Sequence, residues 1–299
     1  MAQVAQAQVI TIGTFAFRRE TYERLAIGAT TLVLLAVLPA RYFFLSFVML
    51  GQGHFLMTYL YQWKGGKIGW RYLALYVPAL LLLGYLATYV IPLPALLLVT
   101  GSVFALHFFY DEARLYARDN SISLGVVWYP ALLFFLVLVK LVYGIDVFPA
   151  IIIGTLLFIL QTARQEGKPE PHSSTHRYML VFATFLLVLL LAPAFMSPTA
   201  VLGAIILYHY MSWYVHYFFR LRDAGRPLRP YLVNGVTVNV VVIALFIGFM
   251  VLSGPGQNAL GLIFGEQYFY VWTLLHILFA SNEFMTALRA QVFARAQMA

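Results

Sequence analysis

Leu93-Pro94-Ala95-Leu96-Leu97-Leu98-Val99-Thr100-Gly101-Ser102-Val103-Phe104-Ala105-Leu106-His107-Phe108-Phe109-Tyr110 runs from a proline pair to Asp111 without one charged side chain. At about 1.5 Å of rise per residue, a helix over 93–110 approaches the roughly 30 Å hydrocarbon core of a bilayer. The turn before it, Ile91-Pro92-Leu93-Pro94, cannot continue a helix cleanly, so the apolar run 71–91 predicts a separate span. Working outward with the same window gives ten candidate spans: 22–39, 42–63, 71–91, 93–110, 122–143, 146–163, 177–196, 199–219, 231–253 and 264–288. Ser197-Pro198 breaks the chain as Pro92 does.

Composition supports the same class. Only 10% of the 299 residues are charged, where a soluble domain carries about a quarter, and mean hydropathy is +0.84. The expected fold is an all-α polytopic transmembrane bundle, a single integral membrane domain over 1–299, with an N-terminal segment 1–21 and a polar loop 164–176. Met1 to Gly13 lacks the basic region and short apolar core of a cleaved signal peptide, so the first span is expected to act as its own insertion signal.

Under a ten-span topology the basic residues fall on one side. They are Arg18, Arg19 and Arg24, then Lys64, Lys67 and Arg71, then Arg114 and Arg118. Arg164, Lys168 and Arg177 follow, then Arg220, Arg222, Arg226 and Arg229, and finally Arg289 and Arg295. The opposite loops hold little beyond Arg41, Asp146 and Glu266. The positive-inside rule places both termini in the cytoplasm and the chain in a cell inner membrane. The formal net charge of +8 is spread over these short loops, which fits topology and anionic lipid headgroups rather than nucleic acid.

Zero cysteines excludes disulfides, iron–sulfur clusters and thiolate metal sites, so any transition metal must use imidazole and carboxylate. Four histidines meet that description. His54, His107, His209 and His276 lie ten, seven, eleven and thirteen residues before Lys64, Arg114, Arg220 and Arg289, in spans that all run outside to inside. The spread is about 9 Å along the membrane normal, which tilts and kinks can close. An imidazole in hydrocarbon needs a partner, and one shared metal would partner all of them.

His216 is seven residues beyond His209, on the same face but about 10.5 Å away along it. One of the pair is a ligand and the other accessory, or the site holds two metals. Asp111, one turn after His107, and the adjacent Glu112 either ligate, orient a ligand imidazole, or pair with Arg114 as an ordinary helix end. Glu283 follows His276 by two turns. His172 and His176 have i,i+4 spacing, but in a polar, proline-interrupted loop. The aromatics around His107 and between His209 and His216 are chiefly lipid contacts and interfacial anchors, and they also suit a tunnel for a long, flat, apolar molecule.

These stretches resemble the bacterial Brp/Blh family of membrane-embedded beta-carotene 15,15'-dioxygenases. The likeness rests on Gly51-Gln52-Gly53-His54, on Ser102 to Glu112 with His107-Phe108 followed by acidic residues, and on Tyr208-His209-Tyr210-Met211-Ser212-Trp213-Tyr214-Val215-His216. They cover about a tenth of the chain, in matching order. The family's late helix carries two histidines at i,i+4 just after a tryptophan, whereas Trp213 lies between histidines seven apart, and ten spans exceed the family's expected number. The resemblance implies an Fe(2+) centre that uses O2 to cleave a carotenoid or similar polyene, with retinal as the product from beta-carotene. It puts His54, His107 and His216 first as ligands, leaves His209 and His276 competing for the remaining place, and makes Asp111 the orienter of a ligand. The competing classes are a transmembrane haem b or other metal-binding electron-transfer protein and a transporter using the same His, Asp and Glu residues. The dense, repeated HxxxH and HxxHH boxes of di-iron desaturases are missing from the sequence.

Overall fold

The computed structural model describes residues 9–12, 15–66, 68–117, 124–165, 178–179, 182–183 and 198–280. Apart from one short antiparallel strand pair, Val9–Ile12 and Phe15–Arg18, with Val9 opposite Arg18, the elements are helical. We number the helices α1 (Arg19–Val37), α2 (Ala40–Lys64), α3 (Trp70–Tyr89), α4 (Leu93–Ala117), α5 (Trp128–Tyr143) and α6 (Phe148–Gln165). After them come α7 (Pro198–Asp223), α8 (Arg229–Val251), α9 (Pro255–Phe264) and α10 (Glu266–Ala280).

The helices start and stop where local chemistry requires. α3 ends just before Pro92 and α4 begins just after it. α5 ends at Gly144, whose φ of 66° lets its N–H reach the Lys140 carbonyl at 2.9 Å. The Asp146 carboxylate accepts the Phe148 N–H at 3.1 Å and so caps the start of α6.

Two expectations change. The window 264–288 begins inside a separate short helix, α9, which starts at Pro255 after the left-handed Gly254. α9 packs Phe264 against Val242 and Phe246 of α8, and its Ile263 carbonyl accepts a hydrogen bond from Gln52 at 2.8 Å. A 20-residue window averages such a helix into the loop beside it. The N-terminal segment also contains the strand pair, whose alternating apolar residues carry no helical period. Residues 281–288 and most of the window 177–196 lie outside the described residues.

By length and composition, two helical stretches among the described residues are long and apolar enough to cross a bilayer, Leu93–Arg114 and Arg229–Val251. Three shorter apolar ones are Ala74–Tyr89, Trp128–Tyr143 and Phe148–Arg164. Only 11% of the Arg229–Val251 window is buried, so α8 turns Val236, Val240, Ile247 and Met250 outward. α3 and α6 do the same with Leu81, Leu82, Leu156 and Leu160.

α2 packs on α7, α8 and α10; α10 also packs on α3 and α4; α4 packs on α5, and α1 on α7. A large core joins Phe104 and Phe108 of α4, Leu133 and Phe134 of α5, and Ile205 to Tyr208 of α7. A second core joins Phe55, Ala87, Leu96, Phe269 and Leu275. Where α2 meets its neighbours it presents Gly51 and Gly53. A Cβ on Gly51 would stand 2.7 Å from the Tyr210 hydroxyl, and one on Gly53 would collide with the Asn239 carboxamide. These glycines let α7 and α8 close on the turn that carries His54. Gly53→Ala is therefore expected to cost about 1–3 kcal/mol by overpacking. In Gly84→Ala the new Cβ meets only the Tyr268 ring at 3.4 Å, and stability should hold; thermal unfolding of both variants in detergent measures the contrast.

Candidate functional site: four imidazoles between two cores

His54 on α2, His107 on α4, His209 on α7 and His276 on α10 are all buried, and their rings meet in a closed circuit. Ring centres are 5.4 Å apart for His54 and His209, 6.1 Å for His209 and His107, 6.0 Å for His107 and His276, and 5.1 Å for His276 and His54. Each contact is edge to face, with planes 65–76° apart. Four helices distant in sequence thus bring their histidines to one depth.

The walls are aromatic. Trp213 and Tyr210 lie 4.7 and 5.1 Å from His54, Phe108 lies 4.7 Å from His209, and Phe55 stacks on His276 at 4.5 Å. Such walls surround the imidazoles with mainly apolar surface. The Nδ1 atoms of His54, His209 and His276 are buried with no hydrogen-bond partner among the described residues. His107 instead turns Nε2 toward Asp111, 3.6 Å from Oδ2, and Arg114 approaches the other carboxylate oxygen at 4.0 Å. At 3.6 Å this is an electrostatic contact, too long for a hydrogen bond. Asp111 thus touches both a site imidazole and its helix-end arginine, combining two of the roles open for it in the sequence.

With metal–nitrogen bonds of about 2.0–2.1 Å, two imidazole ring centres on one ion stand roughly 5 Å apart at tetrahedral angles and about 6 Å apart at wider ones. The four observed spacings cover that range. As the side chains stand, no three His, Asp or Glu residues among the described residues are placed to hold a metal ion. The terminal torsion of histidine is soft, so the direction of each ring nitrogen is the readily adjusted part of this geometry. A haem fits less well, because a porphyrin needs a broad flat slot between two imidazoles and these rings touch all round the circuit.

His216 stands apart from this cluster. It lies two turns beyond His209 on α7, half-buried beside the Tyr217 ring at 5.6 Å. His209 and His276, which competed for one place, both lie in the circuit. His172, His176 and Glu283 lie outside the described residues.

The sequence missed two features. Arg24, counted among the cytoplasmic charges, is 7% exposed, and its Nε sits 3.3 Å from Glu112, which also accepts the Tyr178 hydroxyl at 3.2 Å. Its position inside the predicted span 22–39 was the available signal, since a charge at that depth needs a partner. The second is a cavity of about 200 Å³ lined by Thr100 and Phe104 of α4, Ile206 and Tyr210 of α7, and Glu266 and Thr273 of α10. Phe104, Ile206 and Thr273 each precede a site histidine by three residues, so the cavity lies about one turn from the imidazoles along three helices. Hydropathy does not reveal an empty space.

No family model, no curated protein and no solved structure matches this chain. Its functional reading therefore rests on its own residues. Arg24→Met is expected to destabilise the fold by about 3–5 kcal/mol by stranding the buried Glu112 carboxylate. Combining it with Glu112→Gln should recover part of the loss in denaturant titrations.

Proposed function

We propose that the chain is an integral inner-membrane protein of about ten spans, with both termini cytoplasmic. In this reading His54, His107, His209 and His276 hold one Fe(2+) ion, and the protein cleaves a carotenoid or similar polyene with O2. The outward apolar faces of α3, α6 and α8 support the membrane placement. The observation that carries the function is the closed circuit of four buried imidazoles beside an apolar cavity. Unpartnered imidazole nitrogens in an aromatic shell are costly unless something ligates them.

Bound there, ferrous iron would supply O2 activation, so that one carbon–carbon double bond and one O2 become two aldehyde carbonyls. The chain's own part is positional. The Asp111 carboxylate, 3.6 Å from the His107 Nε2, favours a proton on that nitrogen and so leaves the Nδ1 lone pair for the ion. Phe55, Phe108, Tyr210 and Trp213 keep water away from reactive species. The cavity receives one end of the substrate. At about 200 Å³ it is smaller than the roughly 300–1,000 Å³ of pockets that enclose whole ligands, so a long polyene must extend beyond it.

Purified protein should contain about one equivalent of iron. Alanine at His54, His107, His209 or His276 should lower it well below one equivalent, whereas His216→Ala should retain it. Asp111→Asn should weaken metal affinity by about 10–100-fold. Full metal occupancy in His54→Ala and His107→Ala would reject the centre. Cells that accumulate beta-carotene should lose their orange colour and form retinal when they express the wild type but not His107→Ala. Unchanged colour would reject beta-carotene as substrate while leaving the metal test standing.

A further inference from the structure

Thr100 breaks a pattern. Thr31, Thr58, Thr88, Thr155, Thr162 and Thr273 each donate their hydroxyl to the carbonyl four residues earlier, at 2.7–2.9 Å. Ser102, on the same helix as Thr100, does so at 2.6 Å. The Thr100 hydroxyl is buried, with the residue only 2% exposed, and has no hydrogen-bond partner among the described residues. It lines the cavity next to the imidazoles. Thr273 lines the same cavity but uses its hydroxyl within its own helix. A buried hydroxyl left unpaired costs about 1–3 kcal/mol, a penalty that a ligand oxygen would remove.

The cavity's placement orients such a ligand. Glu266, exposed and accepting the Tyr270 hydroxyl at 3.3 Å, lies at the rim, ten residues or about 15 Å of helix before His276. Thr100 precedes His107 by seven residues, about 10 Å along α4. Between them the walls are Phe104 and Ile206, which offer only apolar surface.

We propose that this chamber selects a long apolar ligand bearing a hydroxyl group, with Thr100 as the residue that recognises that oxygen about 10 Å from the metal end. The proposal rests on the chamber being the approach to the four-histidine centre, and it adds to that reading a preference for an isoprenoid alcohol over the hydrocarbon of the same skeleton. Either partner donates, since each hydroxyl carries one donor and two acceptor lone pairs.

The test uses the full-length protein in lipid nanodiscs, titrated with farnesol and with farnesene, an alcohol and a hydrocarbon on the same isoprenoid skeleton. Wild type should favour farnesol, and Thr100→Val, which keeps the shape and removes the hydroxyl, should reduce the farnesol-to-farnesene affinity ratio by about fivefold to tenfold. Thr100→Ser should restore the ratio, and Leu138→Trp, which fills the chamber, should weaken both ligands. An unchanged ratio in Thr100→Val, or undiminished binding of both ligands in Leu138→Trp, overturns the proposal. Iron content measured on the same samples separates the two readings. Iron without the preference defeats only the role of Thr100, and the preference without iron leaves the alcohol site standing while defeating the oxygenase.

Discussion

An imidazole cannot be left dry and alone. Every imidazole carries two ring nitrogens that water would satisfy, and an aromatic interior satisfies neither. The chain places four such rings on four helices and packs them in one circuit at 5.1–6.1 Å. Much of the surrounding structure serves that convergence. Gly51 and Gly53 let α2 approach its neighbours, Phe55 stacks on His276 while Phe108 meets His209 edge to face, and Asp111 approaches the His107 ring from one helical turn away.

The arrangement also explains why charge near the site is managed so tightly. Glu112 follows Asp111 directly, and two carboxylates beside a cationic centre would compete for it. Burial against Arg24 and Tyr178 commits Glu112 elsewhere, so Asp111 is the carboxylate that meets the cluster. In the proposed reading, an all-imidazole donor set would leave an ion its full charge, which would suit binding of both O2 and an electron-rich double bond.

What was legible in the sequence followed from composition and spacing. Long uncharged runs with prolines between them marked the helices, and the similar distances, seven to thirteen residues, from each histidine to its following basic loop marked a common depth. What stayed hidden depends on tertiary packing. Spacing of seven put His209 and His216 on one face, but only the neighbours of α7 decide which turn faces the other rings. The resemblance favoured His216, and the packing of α7 on α2 places His209 beside His54 instead. Arg24 read as a topology signal because its partner lies 88 residues away in the chain, and α9 escaped because a ten-residue helix is too short for a membrane-length window. The chamber is a gap between four helices, α4, α5, α7 and α10, which no single segment encodes.

X-ray absorption at the iron edge of the purified protein tests the central claim most directly. The account predicts a first shell containing four nitrogen ligands near about 2.1 Å, with the outer-shell scattering of imidazole rings reduced by one histidine in His209→Ala and unchanged in His216→Ala. A shell without imidazole scattering, or one that loses a ring in His216→Ala and keeps all in His209→Ala, would contradict it.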